Sequence, residues 1–393
     1  MEPGEVVERA RRGLSKPPSF GLDPGIRGVV REVEYSAAGT EAVSRLGLAA
    51  ERPSASYVQV DWRIVSTVIG EALRRLGVVF MPVREAVEKL PWAKRYYWEL
   101  IEPDRDRYTA TAALHEGGVF IYIPPGLRLP GPISVSYLVS VHDATQPVHN
   151  IVVVGEGAEV DLLMGCGSTA PGLHIGVTEM YVERGARLRY TMIHNWHRGF
   201  HARPYTAAVL GEGASLEYYY VAPSTGASIS AKPLIRLAEK ASLYSSKVVL
   251  AGPGSKLYLG MHAVLEGRGA SAELVSKTVA QESSYTYVEL TVEDLAGGRG
   301  HTDCSTLLLG DARVDTSPRL VARHPDADLS HEAAIGRIDE EVLEYLATRG
   351  FREEEAAALI VYGFASVEAK TLPENIKKII DGAVRVIARR ATA

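Results

Sequence analysis

The chain is poor in cysteine, in amide side chains, in long apolar runs and in clustered positive charge, and each shortage narrows the field. Cysteine occurs twice in 393 residues, at Cys166 and Cys304, which excludes the disulfide framework of a small secreted domain. A formal net charge of -5, with no Lys/Arg block, excludes the electrostatic footprint of a nucleic-acid binder. The longest apolar run, AAALIVYGFA at 356–365, has about half of the ~20 residues that a membrane-crossing helix needs. The opening MEPGEVVERARRG has no apolar signal core. A cytoplasmic chain with neither a membrane nor a nucleic-acid partner is therefore expected. Asn and Gln number three each, the depletion expected where heat deamidates amides, and this points to a thermophile. Phosphate-loop, dinucleotide-binding, nucleophile-elbow and paired-cysteine zinc patterns are missing as well.

What is present is a repeat. The segments GEGAEVDLL at 155, ERGARLRYT at 183, GEGASLEYY at 211 and EKASLYSS at 239 share one plan, a polar turn followed by an alternating strand. Their turn centres, Gly157, Gly185, Gly213 and Lys240, are 28, 28 and 27 residues apart, and Gly254 and Gly269 follow at about half that interval. A constant interval between turn residues means stacked rungs, each unable to bury its apolar face alone. A β-sandwich is the competing architecture, but its strands have no reason to keep one repeat length. The reading is a mainly β protein with a β-helix core.

The flanks differ in texture. DWRIVSTVIGEALRRLG at 61–77 predicts a helix, with Asp61 as N-cap and Gly77 as stop, and VREAVEKL at 83–90 predicts a second. Beyond residue 338 three helices are expected. Gly350 ends the first, REEEA opens the second, and Pro373 stands near the start of the third, whose stripe includes Ile376, Ile379, Ile380 and Ile387. They are expected to cap one end of the solenoid, to dock another protein, or both. The division is an α/β N-terminal region at 1–115, the β-helix at 116–337 and a helical C-terminal domain at 338–393.

Possible ligands gather late in the β region, at His301, Asp303, Cys304, His324, His331 and Glu332. His331 follows Cys304 by 27 residues, close to the repeat, so successive coils bring the two near register. A free thiol with pKa about 8.5 is little ionised at neutral pH, so Cys304 needs a metal or a cationic neighbour to become a thiolate. Thiolate with imidazole favours zinc, copper or iron over magnesium or calcium. In a regular strand His331 and Glu332 point to opposite faces, so either the strand ends there or only one of them is a ligand. Taken singly, each cysteine also fits a small buried hydrophobe. His174, His194, His197 and His201 crowd around Trp196 without ligand spacing, which favours a structural or surface role.

At these residues the sequence resembles the SufB/SufD family, core subunits of the SUF machinery for iron-sulfur cluster assembly. The resemblance rests on GVVFMPVREAVEKLP, GGVFIYIPPGL, MGCGSTAPGLHIGVTEMYVERGARLRYTMIHNW, DCSTLLLGDARVDTSPRL and LSHEAAIGRIDEEVLEYLATRGFREEEAAALIVYGF. It implies a right-handed parallel β-helix that dimerises through its end, as a homodimer or a SufB–SufD-type heterodimer. It also implies C-terminal helices that dock a SufC-type ABC ATPase, with a sulfur donor and apo-protein acceptors as further partners. The chain would then be a non-enzymatic scaffold for a transient iron-sulfur cluster. Cys304 matches a proposed cluster ligand of SufB, His331 and Glu332 match the adjoining His-Glu pair, Cys166 matches the interior sulfur acceptor, and Trp196 matches a residue of the sulfur path. Leu138, Ser140, His194 and Thr206 stand where SufB commonly has Arg, Asn, Gln and Lys. Rival readings are a SufD-like structural partner without its own cluster and a carbohydrate-active β-helix enzyme with paired carboxylates.

Overall fold

The computed structural model describes residues 1–18, 20–26, 53–115 and 117–365, together with Val43, Lys378, Asp381, Gly382 and Arg385. Successive strands fall alternately into two sheets, which winds the chain into a β-solenoid of about eight turns. The front sheet starts with the antiparallel pair Arg63–Ile69 and Ala55–Val60. It continues in parallel through Ile133–Val139, Glu159–Ser168 and on to Arg299–Leu308 and Asp328–Arg337. The back sheet runs from Val79–Pro82 to Arg313–Ala322.

Register explains the repeat. Arg187 pairs with Ser215, Ser215 with Ser242, Ser242 with Ser271 and Ser271 with Arg299, so each of these rungs adds 27 to 29 residues. One edge turns at Gly157, Gly185, Gly213, Lys240, Gly269 and Gly297, all with positive φ. That left-handed geometry is cheap for glycine, and the chain keeps it at Lys240 with φ 55°. Gly254 belongs to the opposite edge, with Gly226, Ser283 and Gly310, which is why it fell at half the interval. Along each strand alternate residues enter the lumen, where Leu162, Leu188, Leu216 and Leu243 stack into one continuous apolar core.

Part of the outer face of each sheet is covered. Helices Pro3–Gly13 and Arg107–Leu114 join the apolar cluster on the back sheet that contains Ile151, Ile175 and Val177. Asp106 caps the second of these helices by accepting from the backbone N–H groups of Tyr108 and Thr109. Helix Glu353–Ala365 buries Val361 and Ala365 against Val221, Val248, Val279 and Leu307 on the front sheet.

Two expectations change. Residues 63–69 form a strand, and only Glu71–Arg75 of the expected 61–77 helix is helical. Asp61 sits at φ 52° in the tight connection between the first two strands rather than capping a helix, and the β-branched Ile64, Val65, Thr67, Val68 and Ile69 suit the resulting hairpin. The two described C-terminal helices, Glu340–Thr348 and Glu353–Ala365, do not plug the solenoid. The second lies along the front sheet, and the last strand, Asp328–Arg337, stays largely exposed. Helix Val83–Lys89 and the stop at Gly350, φ 91°, agree with the sequence reading. The third C-terminal helix falls mostly outside the described residues. Among the described residues no helix is long and apolar enough to cross a membrane.

Candidate functional site at the solenoid end

The strand Arg299–Leu308 buries Gly300, Thr302, Cys304 and Thr306 and leaves His301, Asp303 and Ser305 half-buried, so even-numbered residues face the lumen. It is the last rung but one of the front sheet. In the final rung His331 lies opposite Thr302, Glu332 opposite Asp303 and Ala333 opposite Cys304. Since the strand runs unbroken through both residues, His331 shares the lumen face with Cys304 while Glu332 turns outward beside Asp303. Cys304 and His331 are diagonal neighbours, about 8 Å apart at the backbone by strand spacing and rise.

Burial separates the members of this group. Cys304 is covered, whereas His331, Glu332 and Ala333 on the terminal rung are exposed. The Cys304 thiol is pushed up to about 11, chiefly by desolvation, with Asp303 adding to the effect and Lys247 opposing it. A protonated thiol is therefore the resting state, and a positive charge arriving at the end is what would ionise it. His301 leaves the group by hydrogen-bonding Ser330 at 2.9 Å, and His324 interacts with the backbone N–H and carboxylate of Asp326. Among the described residues no set of three His, Cys, Asp or Glu side chains converges as a metal site.

Cys166 is five strands away in the same sheet, about 24 Å by strand spacing. It also faces the lumen, and its sulfur lies 4.0 Å from that of Met192. Burial alone raises its thiol far above the ordinary value. Trp196, just past the Arg187–Asn195 strand, stacks on Phe200 with ring centres 4.5 Å apart, and lies 5.2 Å from both His174 and His194. Those two imidazoles are held neutral, lowered to about 3 by burial. His174 bonds Gln146 and His194 bonds the Tyr220 hydroxyl, each at 2.9 Å. Sequence reading treated these histidines as a crowd; the structure separates them, with His174 and His194 lining the lumen around Trp196 and His197 exposed.

Between the two cysteines the lumen holds a small cavity, about 10 Å³, bordered by Met192, His194, Thr206, Tyr218, Tyr220 and Lys247. That is near the threshold for one water-sized occupant. Lys247 was missed in the sequence. Its Nζ crosses the lumen to donate to the Gly260 carbonyl of the back sheet, and burial lowers it to about 7. Counting by twos from Ala241, just past the turn at Lys240, would have found it, because Leu243, Ser245 and Lys247 share the inward phase.

The chain matches the family model described as SUF system FeS cluster assembly, SufBD core domain, over residues 137–364. An iron-sulfur cluster assembly SufBD family protein of Methanothermobacter thermautotrophicus is 34% identical over 374 residues, 90% of this chain and 89% of that one. A SufBD family protein of Archaeoglobus fulgidus is 35% identical over 318 residues, 80% and 86% of the two chains. The iron-sulfur cluster assembly protein SufB of Bacillus subtilis is 28% identical over 326 residues, 80% and 70% of the two.

Proposed function

Because this chain belongs to the SufBD family of iron-sulfur cluster assembly proteins, we propose that it is a SufB-like scaffold holding a nascent cluster at the solenoid end. The cluster is cargo, built and then released. The observation that carries this reading is that Cys304 and His331 are diagonal neighbours on one lumen face, with the imidazole on an exposed terminal rung. Iron-sulfur clusters are held largely by thiolates, with imidazole as an occasional substitute. One thiol and one imidazole leave the ligand set incomplete, so a second chain meeting this end supplies the remainder. The edges of the last rung, unpaired among the described residues, suit such a junction, with Ile335 48% exposed on the inward-facing side.

In this scheme Cys166 receives sulfur inside the solenoid and Trp196 lines the route toward Cys304. A SufC-type ABC ATPase docks on the C-terminal helices. Val342, Tyr345, Phe351 and Leu359, four large apolar side chains exposed there, support that role.

Anaerobic reconstitution with iron and sulfide, followed by visible absorption, is the test. Cys304→Ala and His331→Ala are expected to lose most of the bound cluster, and His324→Ala to keep it. An unchanged spectrum in the Cys304 variant would transfer the chain to the SufD-like reading, a structural partner whose cluster ligand comes from the other subunit.

A further inference from the structure

Two neighbouring rungs of the front sheet bring three sulfurs and an imidazole into one short stretch of lumen. Met164 lies opposite Met192 and Cys166 opposite His194 on the strands Glu159–Ser168 and Arg187–Asn195, and all four side chains are buried. Met164 is already engaged, because its sulfur accepts from the Tyr190 hydroxyl at 3.5 Å and from the Asn150 amide at 3.7 Å. The other three are placed differently. The Cys166 sulfur stands 4.0 Å from that of Met192, across the diagonal of the square, and a thiol is at best a weak donor to a thioether. The same separation is expected of two ligands that each sit about 2.3 Å from one metal ion with about 120° between them.

His194 adds a nitrogen to the pair of sulfurs. Its backbone is one strand spacing, about 4.8 Å, from that of Cys166. Burial keeps the ring neutral, so no proton competes for its lone pair. Nδ1 meets the Tyr220 hydroxyl at 2.9 Å. Donating there fixes the ring and leaves the lone pair on Nε2, the way metal-binding imidazoles are commonly held. Met192 and His194 also border the cavity of about 10 Å³, which gives a bare ion room beside them.

Charge decides the kind of ion. Burial alone raises the Cys166 thiol, with no charged side chain contributing, so no described carboxylate is at hand to offset an excess positive charge. A monovalent cation that displaces the thiol proton leaves one thiolate and one positive charge, which cancel. A divalent ion would leave one positive charge uncompensated in an apolar core, which is strongly unfavourable. Thiolate and thioether are soft ligands and select copper(I).

We propose that Cys166, Met192 and His194 form a binding site for one copper(I) ion, with a thiolate, a thioether and an imidazole as its ligands. Binding releases one proton, from the thiol, and the ion stays monovalent throughout. The site follows from the side chains alone. Its consequence rests on the assembly reading above: copper(I) on Cys166 blocks that thiol from receiving sulfur.

The test uses the full chain carrying Cys304→Ala, so that Cys166 is the single thiol, under anaerobic conditions without iron or sulfide. Copper(I) is supplied as its bicinchoninate complex, and loss of the colour of that complex reports transfer to the protein. One equivalent is expected to transfer. Cys166→Ser should abolish the transfer. Outer-shell partners alone are worth about 10–100-fold in metal affinity, so Met192→Leu and His194→Phe, which each remove a ligand, should weaken binding by about tenfold or more. Met192→Leu nearly conserves core volume and is the variant least exposed to a folding defect. No transfer to the single-thiol chain, or equal affinity in Cys166→Ser or Met192→Leu, overturns the proposal. X-ray absorption at the copper edge of the loaded chain needs no further variant. Sulfur and nitrogen neighbours together support the site, and a shell of nitrogen and oxygen alone overturns it. Since neither iron nor sulfide is present, a failure of cluster reconstitution leaves these results standing, and absence of copper binding leaves the assembly reading standing.

Discussion

His331 stands opposite Thr302 rather than opposite Cys304, two residues short of full register, and that offset decides which of two adjoining residues reaches the thiol. The imidazole falls on the lumen face, diagonal to Cys304, and the Glu332 carboxylate falls on the outer face with Asp303. Glu332→Ala is therefore expected to retain most of the reconstituted cluster under conditions where His331→Ala loses it. Comparing iron and sulfide content of the two variants after desalting checks this. Equal loss would mean that the carboxylate is reached from outside, by a partner folded around the sheet edge.

Lys247 makes stability depend on pH in a direction that can be stated beforehand. An unfolded lysine holds its proton up to about 10.5, whereas burial lowers the folded one to about 7. Between those values the unfolded chain binds more protons, so this group makes folding more favourable as pH rises through the window and least favourable below it. Lys247→Met removes the effect. It is expected to exceed the parent in stability at pH 6, by on the order of a few kcal/mol, with the advantage shrinking toward pH 9. Denaturant midpoints at pH 6, 7.5 and 9 measure it. Cys304 acts in the opposite sense, favouring the fold below pH 9 and losing that contribution as pH rises toward about 11, so the series stops where the thiol begins to matter.

How much of this could be read beforehand depended on whether a feature repeats. Turn residues from Gly157 to Gly269 announced the rungs because each must adopt positive φ at a fixed interval. The strand at 63–69 was hidden because Ile64, Val68, Leu73 and Leu76 also satisfy a helical period, and the deciding feature, the tight turn at Asp61 and Trp62, is two residues long. For the site, the 27-residue interval brought Cys304 and His331 to neighbouring rungs, but the local rung is 29 residues long, as Thr302 to His331 shows. A repeat averaged over the chain cannot supply that difference of two. Lys247 was overlooked because a lysine in a strand is ordinarily assigned to the outer face, and only its phase relative to Leu243 says otherwise.

A buried pair fastens the N-terminal region to the solenoid. Glu179, fully buried, accepts from the backbone N–H groups of Leu100 at 2.5 Å and Ile101 at 2.9 Å, and pairs with His149 at 2.8 Å. The His149 ring in turn packs 4.4 Å from Trp98. Glu179→Ala removes the acceptor of two buried backbone donors and the carboxylate beside the His149 imidazole, a change that costs roughly 3–5 kcal/mol. Glu179→Gln keeps an acceptor and is expected to cost less. Denaturant unfolding measures both. If the alanine variant loses under 1 kcal/mol, the segment at 98–101 is held by its apolar contacts and the pair is incidental.

The C-terminal helices allow docking to be separated from folding. Val361 is buried against the front sheet, while Tyr345 and Leu359 on the same pair of helices are 55% and 48% exposed, and Glu353 and Glu354 are exposed as well. Exposed substitutions of this kind usually shift stability by less than about 0.5 kcal/mol. A Tyr345→Ala, Leu359→Ala double variant is therefore expected to unfold like the parent yet copurify poorly with a SufC-type ATPase, and Glu353→Lys with Glu354→Lys to weaken copurification further at low salt. Val361→Asp should do something different, lowering stability by several kcal/mol because it buries a charge between helix and sheet. Undiminished copurification after removal of residues 339–393 would show that the ATPase binds elsewhere, and the helices would then serve only to cover the front sheet.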